Sequence, residues 1–197
     1  MTEHYFSADP LGDVRLHQVN FDLHGKHYAL SAAGGVFSAG RLDPGTAVLL
    51  RKADLPGSET EGTLLDLGCG YGPIATVLAT VAPHAKVWGV DVNRRALELA
   101  QANTARLGVT VAHVDDVPED VRFDQIWSNP PIRVGKAELH ELLLRWLPRL
   151  QPDGVAWLVV AKHKGSDSLQ EWLIEQGYAA RRHASGSGFR VLKVGGS

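Results

Sequence analysis

What the chain has little of narrows its class first. It holds one cysteine, Cys69, which excludes an intramolecular disulfide framework and makes a reducing compartment, the cytoplasm, the expected location. Its apolar residues come in short runs broken by glycine, proline and charge, none long enough to span a bilayer. The first residues, Met1-Thr2-Glu3-His4-Tyr5-Phe6, lack the basic start and apolar run of a secretion signal. The formal charge is only −2, so the molecule as a whole is no polyanion binder, and any nucleic-acid contact must come from a local basic face. Long repeats and low-complexity tracts are absent apart from the tail Gly195-Gly196-Ser197. What remains is a chain of 197 residues with 44% hydrophobic content, enough for one domain with a sizeable core.

Hydropathy patterning divides the chain near residue 54. Arg15 to Leu23 alternates polar and apolar, His24-Gly25 can turn, and Lys26 to Ala32 resumes the extended pattern, which predicts a β-hairpin. Pro44 opens a predicted helix through Leu50 and Arg51. Residues 1–54 are thus expected to form a hairpin-and-helix extension packed on a core of residues 55–197, the two making one folded unit. In the core, predicted strands at 63–67, 86–90, 110–113, 123–127 and 154–160 alternate with predicted helices at 74–81, 94–107, 136–150 and 168–176. Short apolar strands between helices imply right-handed crossovers and a parallel sheet covered on both faces. Two further extended runs, 178–183 and 188–194, are joined by a loop short enough to force antiparallel pairing, so the sheet is expected to end with a reversed edge. The fold class that follows is α/β: a doubly wound, seven-stranded, mostly parallel Rossmann-like sheet with an antiparallel last strand and a small N-terminal hairpin.

In such sheets ligands sit at the carboxyl ends of the strands, and the first core strand ends in Asp66-Leu67-Gly68-Cys69-Gly70-Tyr71-Gly72-Pro73. Glycines at 68 and 70 let the backbone turn tightly and approach a ligand. The second strand ends at Asp91, where a carboxylate can take both hydroxyls of a ribose, with Val92 beside it. These features alone also describe a dinucleotide site. Asp66 separates the two, because a carboxylate would repel a pyrophosphate but suits the sulfonium and ammonium groups of S-adenosyl-L-methionine. The Gly-x-Gly-x-Gly spacing also departs from the dinucleotide fingerprint. Cys69 reads as a small packing residue in this turn, since no paired base stands near it. At the end of the third strand Asp116, in preference to Asp115, is the candidate acceptor for an adenine amine, a solvated acidic turn being the alternative.

The fourth strand leads into Ser128-Asn129-Pro130-Pro131-Ile132-Arg133. Two successive prolines remove two backbone donors and hold their predecessors extended. The corner presents acceptors: the Asn129 side-chain oxygen and the Pro130 carbonyl. A planar amine offers two N–H donors to such a pair, leaving its lone pair for in-line displacement, so positioning matters more than a strong base.

Together Asp66-Leu67-Gly68-Cys69-Gly70, Asp91 and Asn129-Pro130-Pro131 resemble class I amine methyltransferases. Gly35-Val36-Phe37-Ser38 and Leu42-Asp43-Pro44-Gly45-Thr46 narrow the resemblance to the small-domain methyltransferases, which include the RsmC-like ribosomal-RNA guanine-N2 enzymes. The resemblance covers most of the chain. It implies that Asp66, Gly68 and Gly70 hold the methionine moiety, Asp91 and Val92 the ribose, and Asp116 the adenine. Asn129 and Pro130 would then be catalytic, with Pro131, Ile132, Phe37, Arg133 and Lys136 toward the substrate. Phe37 is the candidate aromatic near the base or methionine, though a core position fits it slightly better. Two departures stand out: Ile132 replaces the aromatic that often follows the Asn-Pro-Pro, and the second, degenerate domain copy of many such enzymes is missing. The implied partner is ribosomal RNA or a ribosomal subunit, with no membrane and no metal, and a monomer is favoured. A protein glutamine amide, an adenine N6 amine, or an inactive S-adenosylmethionine-binding assembly factor are the alternatives. Candidate RNA contacts are Arg41, Arg133, Lys136, Lys162, His163 and Lys164, extended by Arg181, Arg182 and Arg190; an ordinary solvated surface explains them equally.

Overall fold

The computed structural model describes residues 16–33, 40–130 and 135–195. Strands β1 (Leu16–Leu23) and β2 (Lys26–Ala33) form the hairpin, and α1 (Pro44–Lys52) follows. The core runs β3 (Thr63–Leu67), α2 (Pro73–Val81), β4 (Lys86–Asp91), α3 (Arg94–Thr104), β5 (Thr110–His113) and β6 (Phe123–Ser128). It continues with α4 (Lys136–Trp146), β7 (Leu150–Ala161), α5 (Ser166–Glu175), β8 (Ala180–Gly186) and β9 (Phe189–Gly195). The main sheet has seven strands in the order β5-β4-β3-β6-β7-β9-β8. Strands β5, β4, β3, β6 and β7 are parallel, and β9 is antiparallel to both β7 and β8. The last strand is reversed as its sequence predicts, but it is inserted between β7 and β8 instead of forming the rim. A two-residue connection, Ser187-Gly188, lets β9 turn back inside β8.

Side-chain alternation along the buried strands builds two cores. One face of the sheet, with Leu64, Val87, Trp127, Trp157 and Val191, packs on α1, α2, α3 and the hairpin. The other, with Leu65, Leu67, Ile126, Leu158 and Leu192, packs on α4 and α5. The hairpin joins the first core through Val19, Phe21 and Leu23 on β1 and Tyr28, Leu30 and Ala32 on β2. Phe21 faces Tyr28 across the strands, their rings stacked at 5.0 Å. The turn residues His24 and Gly25 both have positive φ (46° and 76°), the backbone that a two-residue hairpin loop with native twist requires.

Helix α4 stops at Trp146 and tightens into a 3-10 turn over Leu147–Arg149, shorter than the predicted helix. Pro148 explains the stop, because it has no amide hydrogen to donate to the carbonyl four residues back, so the α-helical ladder ends with the Leu147 amide bonded to Leu143. Strand β7 begins four residues before its predicted start, with Leu150 pairing Phe123 across an irregularity. No helix among the described residues is long and apolar enough to cross a membrane.

Asn103 on α3 joins the hairpin to the glycine turn. Its Oδ1 accepts from the Ser31 amide at 2.9 Å, and its Nδ2 donates to the carbonyls of Ser31 and Tyr71, each at 2.8 Å. Asn103→Ala leaves one donor and two acceptors without this partner and is expected to cost about 2 kcal/mol. Chemical denaturation should show that loss, with a melting temperature lower by roughly 4–8 °C; an unchanged midpoint would remove Asn103 as the tie.

Candidate functional site

The chain leaves β3 toward β4 on one side and returns, after β5, to β6 on the other. That reversal is a topological switch point, where the carboxyl ends of two adjacent parallel strands splay their loops apart and leave a crevice. Leu67 pairs with Ser128, and the Ser128 hydroxyl donates to the Leu67 carbonyl at 2.8 Å. The glycine turn after β3 and the Asn-Pro corner after β6 therefore stand side by side. A cleft of about 360 Å³, open to solvent, lies there, with Gly68, Gly70 and Tyr71 on one wall and Asp43, Thr46 and Asn129 on the other.

The glycine turn is built for close approach. Gly68 and Gly70 have φ of +75° and +55°, and a methyl group added at either would meet nothing within 4 Å. That open space is what a bound ligand would occupy. Gly72 differs: its added carbon would stand 3.3 Å from Ala100, so it serves the packing of α2 against α3. The amides of Gly68 and Cys69 both donate to the Val90 carbonyl at 2.9 Å, fastening the turn to β4. Cys69 is buried, and burial, with Asp66 and Asp91 nearby, pushes its thiol well above the ordinary range. A protonated, enclosed thiol is a packing group and no nucleophile.

Beneath the turn, Asp66 is completely buried. Its Oδ2 accepts from the Ala75 amide on α2 at 2.8 Å, while Oδ1 has no partner. Burial lifts its pKa to about 8, against the lowering effect of the Ala75 bond and with Asp91 adding repulsion. Asp91 is half-buried, and both its oxygens are engaged: Oδ2 takes the Gly70 amide and Oδ1 the Asn93 amide, each at 2.9 Å. Burial raises its pKa too, countered by these bonds, one from the Val92 backbone, and His113. The Asp91 carboxylate retains acceptor capacity for a ligand hydroxyl beyond these bonds. An orphaned buried carboxylate oxygen beneath an open glycine turn fits a ligand that brings its own cation.

On the opposite wall Asn129 Nδ2 donates to Asp43 Oδ1 at 2.6 Å and to Thr46 Oγ1 at 3.0 Å. Asp43 is the N-cap of α1, its side chain accepting from the Thr46 amide at 3.0 Å. Pro130 is buried behind Asn129. Sequence reasoning singled out the segment holding Asp43 and Thr46 but gave neither a role, because their partner lies more than 80 residues away in the chain. Tyr71, also unassigned, is buried with its hydroxyl unpartnered, and burial, with Asp43 adding repulsion, raises its pKa.

Other candidates are spread more widely. Phe37, Pro131, Ile132 and Arg133, and the Lys164 side chain, lie outside the described residues. Val92 is partly buried against the second core. Asp115 and Asp116 are both exposed beyond β5. Arg145 takes Asp115 at 2.8 Å and holds its carboxyl below the usual range; among the described residues no ion pair engages Asp116. Lys136 is exposed at the start of α4, its stem near Gly165, and Lys162 and His163 are exposed just past β7. Arg190 departs from the predicted basic surface: it is mostly covered and ion-paired with Asp167. Arg181 and Arg182 are exposed on β8, three strands from β6, or about 14 Å across the sheet. No group of three or more His, Cys, Asp or Glu suited to a metal ion occurs among the described residues.

Comparison with known proteins places the chain in a family and agrees with its fold. Residues 27–193 match the family "Methyltransferase small domain". An uncharacterised Bacillus subtilis protein, YbxB, is 34% identical over 89% of both chains. Ribosomal RNA small subunit methyltransferase C of Aeromonas hydrophila is 44% identical over 53% of this chain, a match that spans 30% of that protein. A solved structure of the T. thermophilus 16S rRNA N2 G1207 methyltransferase, in complex with AdoMet and guanosine, superposes with a TM-score of 0.77 at 28% identity. It covers 96% of this chain and 53% of that one.

The Asp66 carboxyl yields a prediction that needs no ligand. Between the ordinary carboxylate pKa of 3.8 and about 8, the folded protein holds a proton there that the unfolded chain has lost, so its contribution to stability falls as pH rises through that window. Asp66→Asn keeps an acceptor for Ala75 and cannot ionise. Denaturant titrations should show the variant gaining on wild type from pH 4 to about 8, then a constant difference. Parallel pH profiles would mean that Asp66 is not buried as described.

Proposed function

The chain belongs to the small-domain methyltransferase family, whose cofactor is S-adenosylmethionine, and on that premise we propose that it methylates the exocyclic N2 amine of a guanine in ribosomal RNA. The observation that carries this reading is the orientation of Asn129, whose amide hydrogens are committed to Asp43 and Thr46, leaving the carbonyl oxygen as the acceptor beside the glycine turn. Support for guanine comes from the RsmC structure in complex with guanosine.

Bound S-adenosylmethionine supplies a methyl group already activated on a sulfonium. In this reading the unpartnered Asp66 oxygen answers the cationic methionine end of the cofactor, which the open backbone at Gly68 and Gly70 lets approach. Asp91, flanked by Val92, accepts from the ribose hydroxyls, and Asp116 serves the adenine amine. Asn129 Oδ1 and the Pro130 carbonyl accept the two N–H groups of the target amine, so the nitrogen lone pair turns toward the methyl group. Both acceptors are neutral: they orient the N–H bonds without first removing a proton, and geometry does the catalytic work. Lys136, Lys162 and His163 give RNA phosphates a modest local attraction on a chain of net charge −2, consistent with a substrate presented in a folded ribosomal particle. The resemblance assigns substrate contacts to Pro131, Ile132, Phe37 and Arg133 as well, all outside the described residues.

Labelled cofactor and rRNA purified from a strain lacking the gene test the proposal, with digestion to nucleosides expected to show N2-methylguanosine. Label in protein, or in adenine, would replace guanine as the acceptor. Asn129→Ala should lower turnover about 100-fold, the scale of a misplaced reacting group; transfer at the wild-type rate defeats the mechanism. Asp91→Ala should weaken cofactor binding about 10- to 100-fold in calorimetry, corresponding to the loss of hydrogen bonds to a charged acceptor.

A further inference from the structure

An asparagine amide has two faces of opposite chemistry, and a half-turn about its last torsion exchanges them. With the oxygen toward the cleft, Asn129 attracts an amine; with the NH2 there, it repels one. Resting on the reading that Asn129 holds an amine, we propose that Asp43 is the positioning residue that selects the first face, making the N-terminal segment part of the acceptor site.

Four observations lead there. Asp43 Oδ1 stands 2.6 Å from Asn129 Nδ2, and an ionised carboxylate can only accept, so the flipped amide would press oxygen against oxygen. Thr46, at 3.0 Å, can donate or accept and tolerates either face; the selection therefore falls to Asp43. The Asp43 carboxylate is itself held, because the same Oδ1 accepts from the Thr46 amide at 3.0 Å and Pro44 at the first helical position fixes the backbone. Gly45 allows the approach: a methyl group there would stand 3.0 Å from Asp43 Oδ1, 3.0 Å from the Phe189 ring and 3.2 Å from Asn129 Nδ2. Helix α1 thus comes close enough to orient Asn129 only because residue 45 has no side chain.

The capping and positioning roles of Asp43 can be separated. Serine caps a helix as well as aspartate does but is too short to reach Asn129, whereas asparagine can put an oxygen where Oδ1 stands. D43S should fold with the wild-type melting temperature within a few degrees and bind S-adenosylmethionine within about 3-fold of wild type. Its kcat for rRNA methylation should fall about 100-fold while KM changes little. D43N should recover turnover to within about 10-fold of wild type. A substrate-free readout accompanies this: in nitrogen-15 spectra the Asn129 side-chain NH2 signals, identified by their loss in Asn129→Ala, should be displaced and slow to exchange in wild type and D43N. In D43S they should move to solvent-exposed positions. D43S turning over like wild type, or the same Asn129 signals in wild type and D43S, overturns the proposal. A wild type inert on rRNA, with its Asn129 signals displaced as expected and lost in D43S, would overturn only the substrate reading and leave the positioning role standing.

Discussion

Two strand ends held at one level organise this molecule. Leu67 on β3 and Ser128 on β6 are register partners, linked again by the Ser128 hydroxyl, and the chain reverses its winding between them. A shift of one residue in that pairing would turn every side chain of β6 to the other face, moving Trp127 from the first core to the second. The buried pattern on both faces therefore enforces the register, and the register sets Gly68 beside Asn129. The site's geometry is inherited from hydrophobic burial some distance below it. That arrangement suits chemistry which asks mainly for placement.

The site also concentrates the molecule's electrostatic discomfort. Asp66 is fully buried with one oxygen unsatisfied, Asp91 lies close enough to raise its pKa further, and Tyr71 hides an unpartnered hydroxyl at the same cleft. Buried polar groups are ordinarily paired, and leaving one unpaired costs folding free energy. A cluster of such costs beside an open glycine turn is tolerable where a ligand completes the pairing. A neutral residue that still accepts from the Ala75 amide would relieve the cost at Asp66 and remove the carboxylate a cationic ligand would meet. Stability and ligand recognition pull in opposite directions here, and the large tryptophan-rich cores on both faces of the sheet absorb the difference.

Much of this was legible in the sequence because it is local. The strand-to-helix alternation and the hairpin with its His24-Gly25 turn are fixed by residues within a few positions of one another. The limits of legibility have equally definite causes. Pro148 shortens α4 through its missing amide donor, an effect outweighed, in the sequence pattern, by helical periodicity running past it. The insertion of β9 between β7 and β8 depends on which edge is open when the chain returns, a property of the assembled sheet. Arg190 reads as a surface cation until Asp167, on a different element, claims it. The Asp43–Asn129 contact spans 86 positions, so the sequence marks Asp43 only as part of the motif that carries the family resemblance and assigns it no role.

That contact changes how the N-terminal segment should be regarded. A hairpin and short helix ahead of a doubly wound sheet can be a cover for one apolar face, and here they do bury Leu49, Leu50 and Leu30 in the first core. Cover alone, however, would not require a carboxylate at 43 aimed across the cleft. Through Asn103 the hairpin is hydrogen-bonded to the carbonyl of Tyr71 in the glycine turn, and through Asp43 the helix reaches the opposite wall. The segment thus touches both sides of the crevice at once. Loosening it would blur the glycine turn and the Asn-Pro corner together, so the extension and the sheet are better regarded as one device than as a core with an accessory.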